Sequence, residues 1–326
     1  MRAPMPAGWR EMRVRGIRLE TDAIRSFELT PIAPEPLAPW TPGAHLDIAL
    51  PDGGMRQYSL CGDPAEAAYR IAVKREPASR GGSAWLHDAV TPGMVLRVGT
   101  PRNAFGFDPQ ATQLVLMGAG IGITPLLPMW RAARRAGIPV ALHLAAGARD
   151  EVPFREALED ADDVRLYLDR APAAIAQALA QAMPAWAAGA LLYTCGPAGF
   201  MEHVLRCAGQ RGWPDHALRM ERFAPIAPAP GGDRAAAAGP SQVPVRFARS
   251  GITVQARPGE SLLALARRHG IDIGTGCEQG LCGACMTEVA EGVPEHRDSY
   301  LSESERERWV LPCVSGCGAL PLALLA

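Results

Sequence analysis

Four cysteines near the C-terminal end have the type and spacing to bind a metal cluster. Three of them follow a C-x4-C-x2-C pattern and the fourth comes after a gap: Cys277, Cys282, Cys285 and Cys313. Plant-type [2Fe–2S] proteins use this spacing, because two irons need four thiolates around one small volume. Zinc is the alternative metal, but structural zinc sites usually have paired C-x2-C knuckles and this sequence has one such pair. We therefore predict a [2Fe–2S] cluster held by these four thiolates.

The remaining cysteines are expected to have no part in the cluster. The chain has eight cysteines, and a reducing cytoplasm would keep them out of a disulfide framework. Cys317 follows Cys313 closely, and we expect a spectator thiol there rather than a fifth ligand.

A second set of residues could bind a flavin. Arg56, Tyr58 and Ser59 lie in the stretch RQYSL. An Arg suits a phosphate, an aromatic ring suits the isoalloxazine, and the Ser hydroxyl can reach the flavin N5 edge. This R-x-Y-S pattern resembles the signature of the ferredoxin–NAD(P)+ reductase superfamily.

The stretch RGGS extends the predicted flavin site to Arg80, Gly82 and Ser83. It precedes a helix predicted over Ala84–Val90. Backbone N–H groups and the helix dipole attract phosphate at a helix N-terminus. An ordinary N-cap is the alternative role for Ser83.

Two further loops could bind a nicotinamide dinucleotide. The first follows an apolar strand predicted over Gln113–Met117 and contains Gly118, Gly120, Gly122 and Thr124. It is not the Rossmann G-x-G-x-x-G, but a strand-to-helix turn presents backbone N–H groups to a pyrophosphate. The second loop, Cys195-Gly196, follows a strand predicted over Ala190–Thr194. A small core thiol is the alternative reading of Cys195.

The residue pair Arg149-Asp150 bears on the choice of coenzyme. Asp150 follows a strand predicted over Val140–Ala145 and could accept hydrogen bonds from a free ribose 2′-hydroxyl while repelling a 2′-phosphate. Arg149 would favour the opposite choice. We predict NADH.

These motifs require three kinds of scaffold. Before residue 110, short alternating runs broken by Pro and Gly predict antiparallel strands in a barrel or sandwich. After it, strands alternating with helices predict a parallel α/β sheet. The stretch Ala224–Ser241 is built of Ala, Pro and Gly and predicts a linker. Beyond the linker, a predicted hairpin followed by a helix over Glu260–His269 resembles the β-grasp ferredoxin module.

Several stretches together resemble the phthalate dioxygenase reductase and vanillate demethylase reductase family. They are RQYSLCGDP, AVKRE, RGGS and PRNAF, and the resemblance extends over essentially the whole chain. It implies FMN rather than FAD, NADH, and a C-terminal plant-type ferredoxin domain. It also implies that Ser59 and Cys195 lie at the reacting atoms, and that Phe223 in the sequence ERF lies by the flavin. A hydrophobic plug that closes the domain is the alternative role for ERF.

The expected architecture is a multidomain α/β and β protein. It comprises an FMN-binding antiparallel β-barrel domain (residues 1–108), an NADH-binding parallel α/β domain (109–223), a linker (224–242) and a [2Fe–2S] β-grasp ferredoxin domain (243–326). A hydride carries two electrons whereas the cluster takes one at a time, so the flavin must stand between them.

The acceptor that this resemblance implies is a terminal oxygenase, most simply a Rieske-type enzyme acting on a small organic acid. A cytochrome P450 is the second choice of acceptor, and an electron carrier with a vestigial nucleotide site is the alternative of another class. The formal net charge of −1 gives no footprint for nucleic acid or an anionic membrane. The N-terminus lacks a secretory h-region. We therefore expect a cytoplasmic monomer.

Overall fold

A computed structural model describes most of the chain as two compact units, Met1–Glu221 and Arg222–Ala326. The described residues are 8–33, 35–77, 81–169, 171–223, 243–257, 259–275, 278–280, 283–298, 300–301, 303–318 and 320–326. The predicted linker thus lies outside them. Within these ranges, no helix has both the length and the apolar character needed to cross a bilayer.

Six antiparallel strands at the start of the first unit form a barrel. They are β1 (Trp9–Thr21), β2 (Ile24–Pro31), β3 (His45–Ala49), β4 (Met55–Ser59), β5 (Tyr69–Lys74) and β6 (Val95–Gly99). Their order is β4-β3-β6-β1-β2-β5, and a bridge between Leu60 and Ile71 joins the two edges. Alternate apolar residues such as Phe27, Leu46 and Ile48 fill the interior, as the period-2 pattern predicts.

One helix, α1 (Gly82–Asp88), covers strand β5 of the barrel. The predicted span Ala84–Val90 was wrong by half a turn, because the helix begins earlier. Gly81 adopts φ 95°, and the Trp85 N–H donates to the Gly81 carbonyl at 2.8 Å, which closes the first turn. Gly82 and Ser83 therefore lie inside the first turn rather than before it.

A parallel five-stranded sheet with flanking helices completes the first unit. Its strands are β7 (Gln113–Ala119), β8 (Val140–Ala146), β9 (Val164–Leu168), β10 (Ala190–Cys195) and β11 (Leu218–Glu221), and its helices are α2 (Ile123–Ala136), α3 (Arg155–Leu158), α4 (Pro172–Ala182) and α5 (Ala198–Gln210). The sequence pattern predicted neither α5, which contains two glycines, nor the short edge strand β11.

The second unit is a small mixed sheet with one packed helix, which is the predicted β-grasp arrangement. It contains β12 (Val243–Phe247), β13 (Ile252–Ala256), α6 (Leu262–Arg268), β14 (Thr287–Glu291), β15 (Pro294–Glu295), α7 (Glu303–Arg306), β16 (Trp309–Val310), β17 (Gly316–Cys317) and β18 (Leu322–Leu324). The main sheet has the order β13-β12-β18-β14-β16. Ser261 caps α6 by accepting the Ala264 N–H at 3.2 Å, and Leu262 and Leu265 pack into the core.

Because the first compact unit ends at Glu221, just before the predicted linker, we expect a fragment ending near Pro230 to fold by itself. It should keep its visible flavin absorbance and unfold in one cooperative thermal transition. Circular dichroism and flavin absorbance after gel filtration provide the measurement. A fragment that aggregates, or that loses flavin while the full chain retains it, would show that the two halves share a core.

Candidate functional site

The flavin motif on β4 meets the beginning of helix α1. A Cβ atom added to Gly82 would lie 2.6 Å from Arg56 Cγ and 3.3 Å from Tyr58 Oη. A side chain at position 82 would displace the Arg56 side chain, so glycine allows the helix to lie close to the strand. Two motifs that are separate in the sequence are therefore brought to one place.

The side chains at this place are fixed by the barrel. The Tyr58 ring packs against the barrel core, and burial raises the pKa of its phenol. Ser83 Oγ accepts the Glu76 backbone N–H at 3.2 Å, which ties α1 to the segment after β5. Arg80 lies outside the described residues, and its predicted contact with the phosphate stays a prediction.

The two nucleotide loops lie where the strand order of the parallel sheet reverses. From β7 the chain proceeds to β8 and β9 on one side, whereas β10 and β11 lie on the other. Ligands of such sheets bind beyond the carboxyl ends of the strands at this reversal. Gly118 and Cys195 occupy paired positions at these ends, so the predicted loops lie side by side.

Gly122 is the point of closest approach between the two loops. A Cβ atom added there would lie 2.2 Å from the Cys195 carbonyl oxygen and 2.8 Å from the Gly196 nitrogen. Gly120 has φ +52°, in the left-handed region that favours glycine. Thr124 is buried, and its hydroxyl donates to the Ile121 carbonyl at 2.9 Å. The Thr124 side chain thus supports the loop backbone, and direct contact with the nucleotide stays a prediction.

Three polar side chains meet between the flavin strand and the nucleotide loops. Ser59 Oγ donates to Glu221 Oε2 at 3.2 Å, and Cys195 and Glu221 are paired on neighbouring strands. The sequence motifs predict roles for Ser59 and Cys195 and none for Glu221. The signal was its place in the sequence ERF, directly before the linker.

Burial disfavours the charged forms of Glu221 and Cys195. It raises the pKa of Glu221 to about 8, against the opposing effect of the Ser59 hydrogen bond. The pKa of the Cys195 thiol is raised well above its ordinary value by burial and by the nearby Glu221 carboxyl. A neutral thiol is a poor nucleophile. The chemistry available to these residues is therefore contact and orientation of an uncharged ring rather than covalent attack.

Asp150 lies at the carboxyl end of β8, in the 3-10 turn Arg149–Glu151, and is exposed. The competing cation, Arg149, forms an ion pair through Nε with Glu159 Oε1 at 3.0 Å. Glu159 also pairs with Arg155 at 3.1 Å. An arginine engaged in this way is less available to a 2′-phosphate, which favours the predicted role of Asp150.

Phe223 belongs to the second unit and its side chain is 41% exposed. The predicted position of its ring beside the flavin stays a prediction.

Two of the four predicted cluster ligands are described, and they share one apolar cluster. Cys285 is buried with Leu301 and Leu311, and Cys313 packs against the same group. Cys277 and Cys282 lie outside the described residues. Packing thus brings Cys285 and Cys313, which are distant in the sequence, to the same apolar cluster, as a four-thiolate site requires.

Glycines let the cysteine loop lie against its surroundings. Gly283, between Cys282 and Cys285, has φ +69°, and a Cβ atom there would lie 2.5 Å from the Tyr300 ring. Gly280 has φ +70°, and its Cβ would lie 2.7 Å from Val314. These positive φ angles and close contacts allow only glycine. The loop is thereby pressed onto the segment that follows Cys313, which suits a cluster bound by both.

Comparison with known proteins agrees with this geometry. Residues 245–317 match the 2Fe-2S iron-sulfur cluster binding domain family. A vanillate O-demethylase oxidoreductase from a Pseudomonas species is 36% identical over 96% of this chain and 99% of its own length. The chain belongs to this family of oxygenase reductases.

Solved structures extend the likeness to the reductase fold. Phthalate dioxygenase reductase, described as a modular structure for electron transfer from pyridine nucleotides to [2Fe–2S], matches with a TM-score of 0.71 and 31% identity over 97% of this chain and 98% of its own. An intact type IV self-sufficient cytochrome P450 monooxygenase matches all of this chain with a TM-score of 0.86 and 31% identity, and the reductase spans 43% of that longer chain. The predicted family, the fold class and an oxidoreductase with a [2Fe–2S] domain are confirmed.

Replacing Asp150 by Ala is expected to weaken discrimination against NADPH. The substitution removes an acceptor for the ribose hydroxyl and a charge that repels phosphate. We expect the ratio of kcat/KM for NADH to that for NADPH to fall about tenfold, equivalent to ~1.4 kcal/mol. Asp162→Ala, which removes an exposed carboxylate from the same sheet domain, is the control. An unchanged ratio in Asp150→Ala would remove this residue from the site.

The raised pKa of Glu221 predicts a pH-dependent stability difference from Glu221→Gln. Because the folded-state pKa, about 8, exceeds the ordinary value of 4.5, folding takes up a proton between these pH values. Wild-type stability relative to the variant is therefore greatest below pH 4.5 and declines as the pH rises to about 8. Tm values of the flavin-free proteins at several pH values measure it, with the exposed Glu202→Gln as control. A wild-type-minus-variant difference that stays constant with pH would contradict burial of the carboxyl.

Proposed function

We propose that this protein is the NADH-oxidising reductase component of a multicomponent oxygenase, passing electrons from NADH through FMN and a [2Fe–2S] cluster to a terminal oxygenase. The observation that carries the proposal is the meeting of Ser59, Cys195 and Glu221. It joins the strand that bears the flavin motif to the reversal point of a dinucleotide-binding sheet. A [2Fe–2S] domain on the same chain supplies the exit for electrons.

Each part of the first unit has a positioning task in this reaction. Arg56 and the first turn of α1 would hold the flavin phosphate, and the Tyr58 ring would lie against the isoalloxazine. The loop from Gly118 to Gly122 would hold the nucleotide pyrophosphate. FMN, when bound, accepts two electrons as a hydride and releases them singly, which matches NADH to a one-electron cluster.

Ser59, Glu221 and Cys195 would line the place where nicotinamide and flavin meet. The Ser59 hydroxyl is held by Glu221, so its direction is set before a ligand arrives. The thiol of Cys195, buried and neutral, would press on one face of the nicotinamide without reacting. The group thus orients the ring and excludes water, and orientation is a large contribution to the rate of such transfers.

The connection between the barrel and the parallel sheet supports FMN rather than FAD. Asn103 donates to the Thr41 side chain at 2.7 Å and to the Pro42 carbonyl at 3.0 Å. Tyr193 Oη donates to the Gly106 carbonyl at 3.0 Å. These hydrogen bonds hold residues 103–106 between the barrel and the parallel sheet. Little chain is left there that could bind the adenine half of FAD.

For the partner, we propose a Rieske-type oxygenase that hydroxylates or demethylates a small organic acid such as an aromatic carboxylate. The support is the likeness to a vanillate O-demethylase oxidoreductase and to phthalate dioxygenase reductase, whose names both carry aromatic acids. We place the protein in the cytoplasm as a monomer, where NADH is available and thiols are kept reduced for the cluster.

A cytochrome P450 is the second candidate partner. The observation that favours it is the match of the whole chain to part of a self-sufficient P450 monooxygenase. Reduction assays with a purified Rieske oxygenase and with a P450 would separate the two. The reduction rate should saturate at a low concentration of the true acceptor and not at a low concentration of the other.

Purified protein is expected to contain about one FMN, two irons and two sulfides per chain. Cys282→Ser should lose the cluster and its coupling to the oxygenase. Reduction of ferricyanide by NADH should continue, because ferricyanide can take electrons directly from the flavin. Cys317→Ser is the matched control and should keep both activities. FAD released by acid would refute the argument from the short connection, and oxygenase coupling retained in Cys282→Ser would refute the electron order.

The alternative function, an electron carrier with a vestigial nucleotide site, predicts a different result for the same purified protein. Under the proposed function, NADH added without oxygen bleaches the visible absorbance of both cofactors. Visible absorbance that is bleached by dithionite and not by NADH would favour the electron carrier.

A further inference from the structure

A small apolar cluster joins the flavin barrel to the nucleotide loop within the first unit. Ile24, Cys61 and Ala72 are buried on the barrel side, and Ile121 and Phe154 of the parallel-sheet part pack against them. Ile121 is the middle residue of the 3-10 turn Gly120–Gly122. Cys61 follows the flavin strand β4 after a single residue. The two proposed cofactor motifs are therefore in contact through side chains that belong to neither binding surface.

Helix α2, which begins directly after the nucleotide loop, contacts the same barrel segment. Arg131 donates from a guanidinium NH to the Cys61 carbonyl at 3.4 Å. One turn further, Arg135 forms an ion pair with Asp63. The helix thus contacts the segment Cys61–Asp63 at two points, and the loop contacts the neighbouring apolar cluster.

The backbone of Phe154 indicates that this contact is maintained against strain. Phe154 has φ 56° and ψ 27°, in the left-handed region. An aromatic residue rarely adopts this conformation, and such strain persists only where the surroundings enforce it. Its side chain packs both against Ile24, Cys61 and Ala72 and against the core of the parallel sheet, and this double contact is available to enforce the conformation.

We propose that Ile121 is a positioning residue for hydride transfer, which fixes the nucleotide loop at a set distance from the flavin strand by packing against the cluster of Ile24, Cys61 and Ala72. The inference rests on the proposed function, because it takes the loop to hold NADH and the strand to hold FMN. The loop is fixed on its other side by Gly122 against Cys195 and by the bond from Thr124 to the Ile121 carbonyl. Removing the Ile121 side chain leaves these two restraints and the Arg131 and Arg135 contacts in place, and it removes the apolar contact that the loop itself makes with the barrel.

The test is stopped-flow reduction of the bound flavin by NADH in Ile121→Ala. We expect the limiting rate at saturating NADH to fall about tenfold, because small misplacements of reacting groups have large effects on rate. Flavin content and the flavin midpoint potential should match those of the wild type. Ile121→Val, which keeps most of the contact, should recover at least about half of the limiting rate.

Two controls give each outcome a meaning. Ile138→Ala truncates an apolar side chain that packs on the core of the parallel sheet, and should leave the limiting rate unchanged. Cys61→Ala, on the barrel side, should lower the rate, and its effect should be less than additive with Ile121→Ala. A limiting rate in Ile121→Ala within twofold of wild type, an equal loss in Ile138→Ala, or strict additivity with Cys61→Ala would each overturn the inference. A wild-type flavin that NADH does not reduce would instead overturn the proposed function.

Discussion

The constraint on which the first unit depends is the absence of a side chain at Gly122. Because that position has room only for hydrogen, the loop after β7 and the backbone of Cys195 after β10 lie in direct contact. Any larger residue would separate the two strands where their connections diverge, which is where open parallel sheets bind their ligands. The position of Cys195 relative to Gly118, and of Glu221 beside Cys195, follows from this approach through the register of the parallel strands.

The electrostatics of the site follow from the same close packing. A carboxyl and a thiol enclosed together are costly to ionise, and the Glu221 carboxyl further raises the pKa of Cys195. Ser59 partly offsets the burial of Glu221 with a hydrogen bond that also fixes its own hydroxyl. The outcome is a neutral, oriented surface, which suits a reaction whose moving group is a hydride rather than a proton.

The sequence showed where the chemistry lies better than how it is assembled. The cysteine spacing, the RQYSL strand and the alternation of strands and helices predicted the fold because each is local and periodic. Glu221 could not be assigned in this way, since it lies on a four-residue edge strand whose pattern is too short to read. The left-handed Phe154 and the need for glycine at position 122 depend on contacts between segments far apart in the chain, and no local pattern encodes them.

The ferredoxin unit solves a related packing problem with a buried carboxylate in a different role. Asp298 accepts the backbone N–H groups of Tyr300 at 3.2 Å and Leu301 at 2.9 Å. These bonds position the Tyr300 ring against Gly283, where a Cβ atom would clash with the ring. They also position Leu301 in the apolar cluster that contains Cys285. One side chain therefore organises the backbone of the segment that packs against both Gly283 and Cys285. In the flavin unit burial raises the pKa of the Glu221 carboxyl, whereas here the Asp298 side chain contributes by organising the backbone behind a layer of apolar side chains.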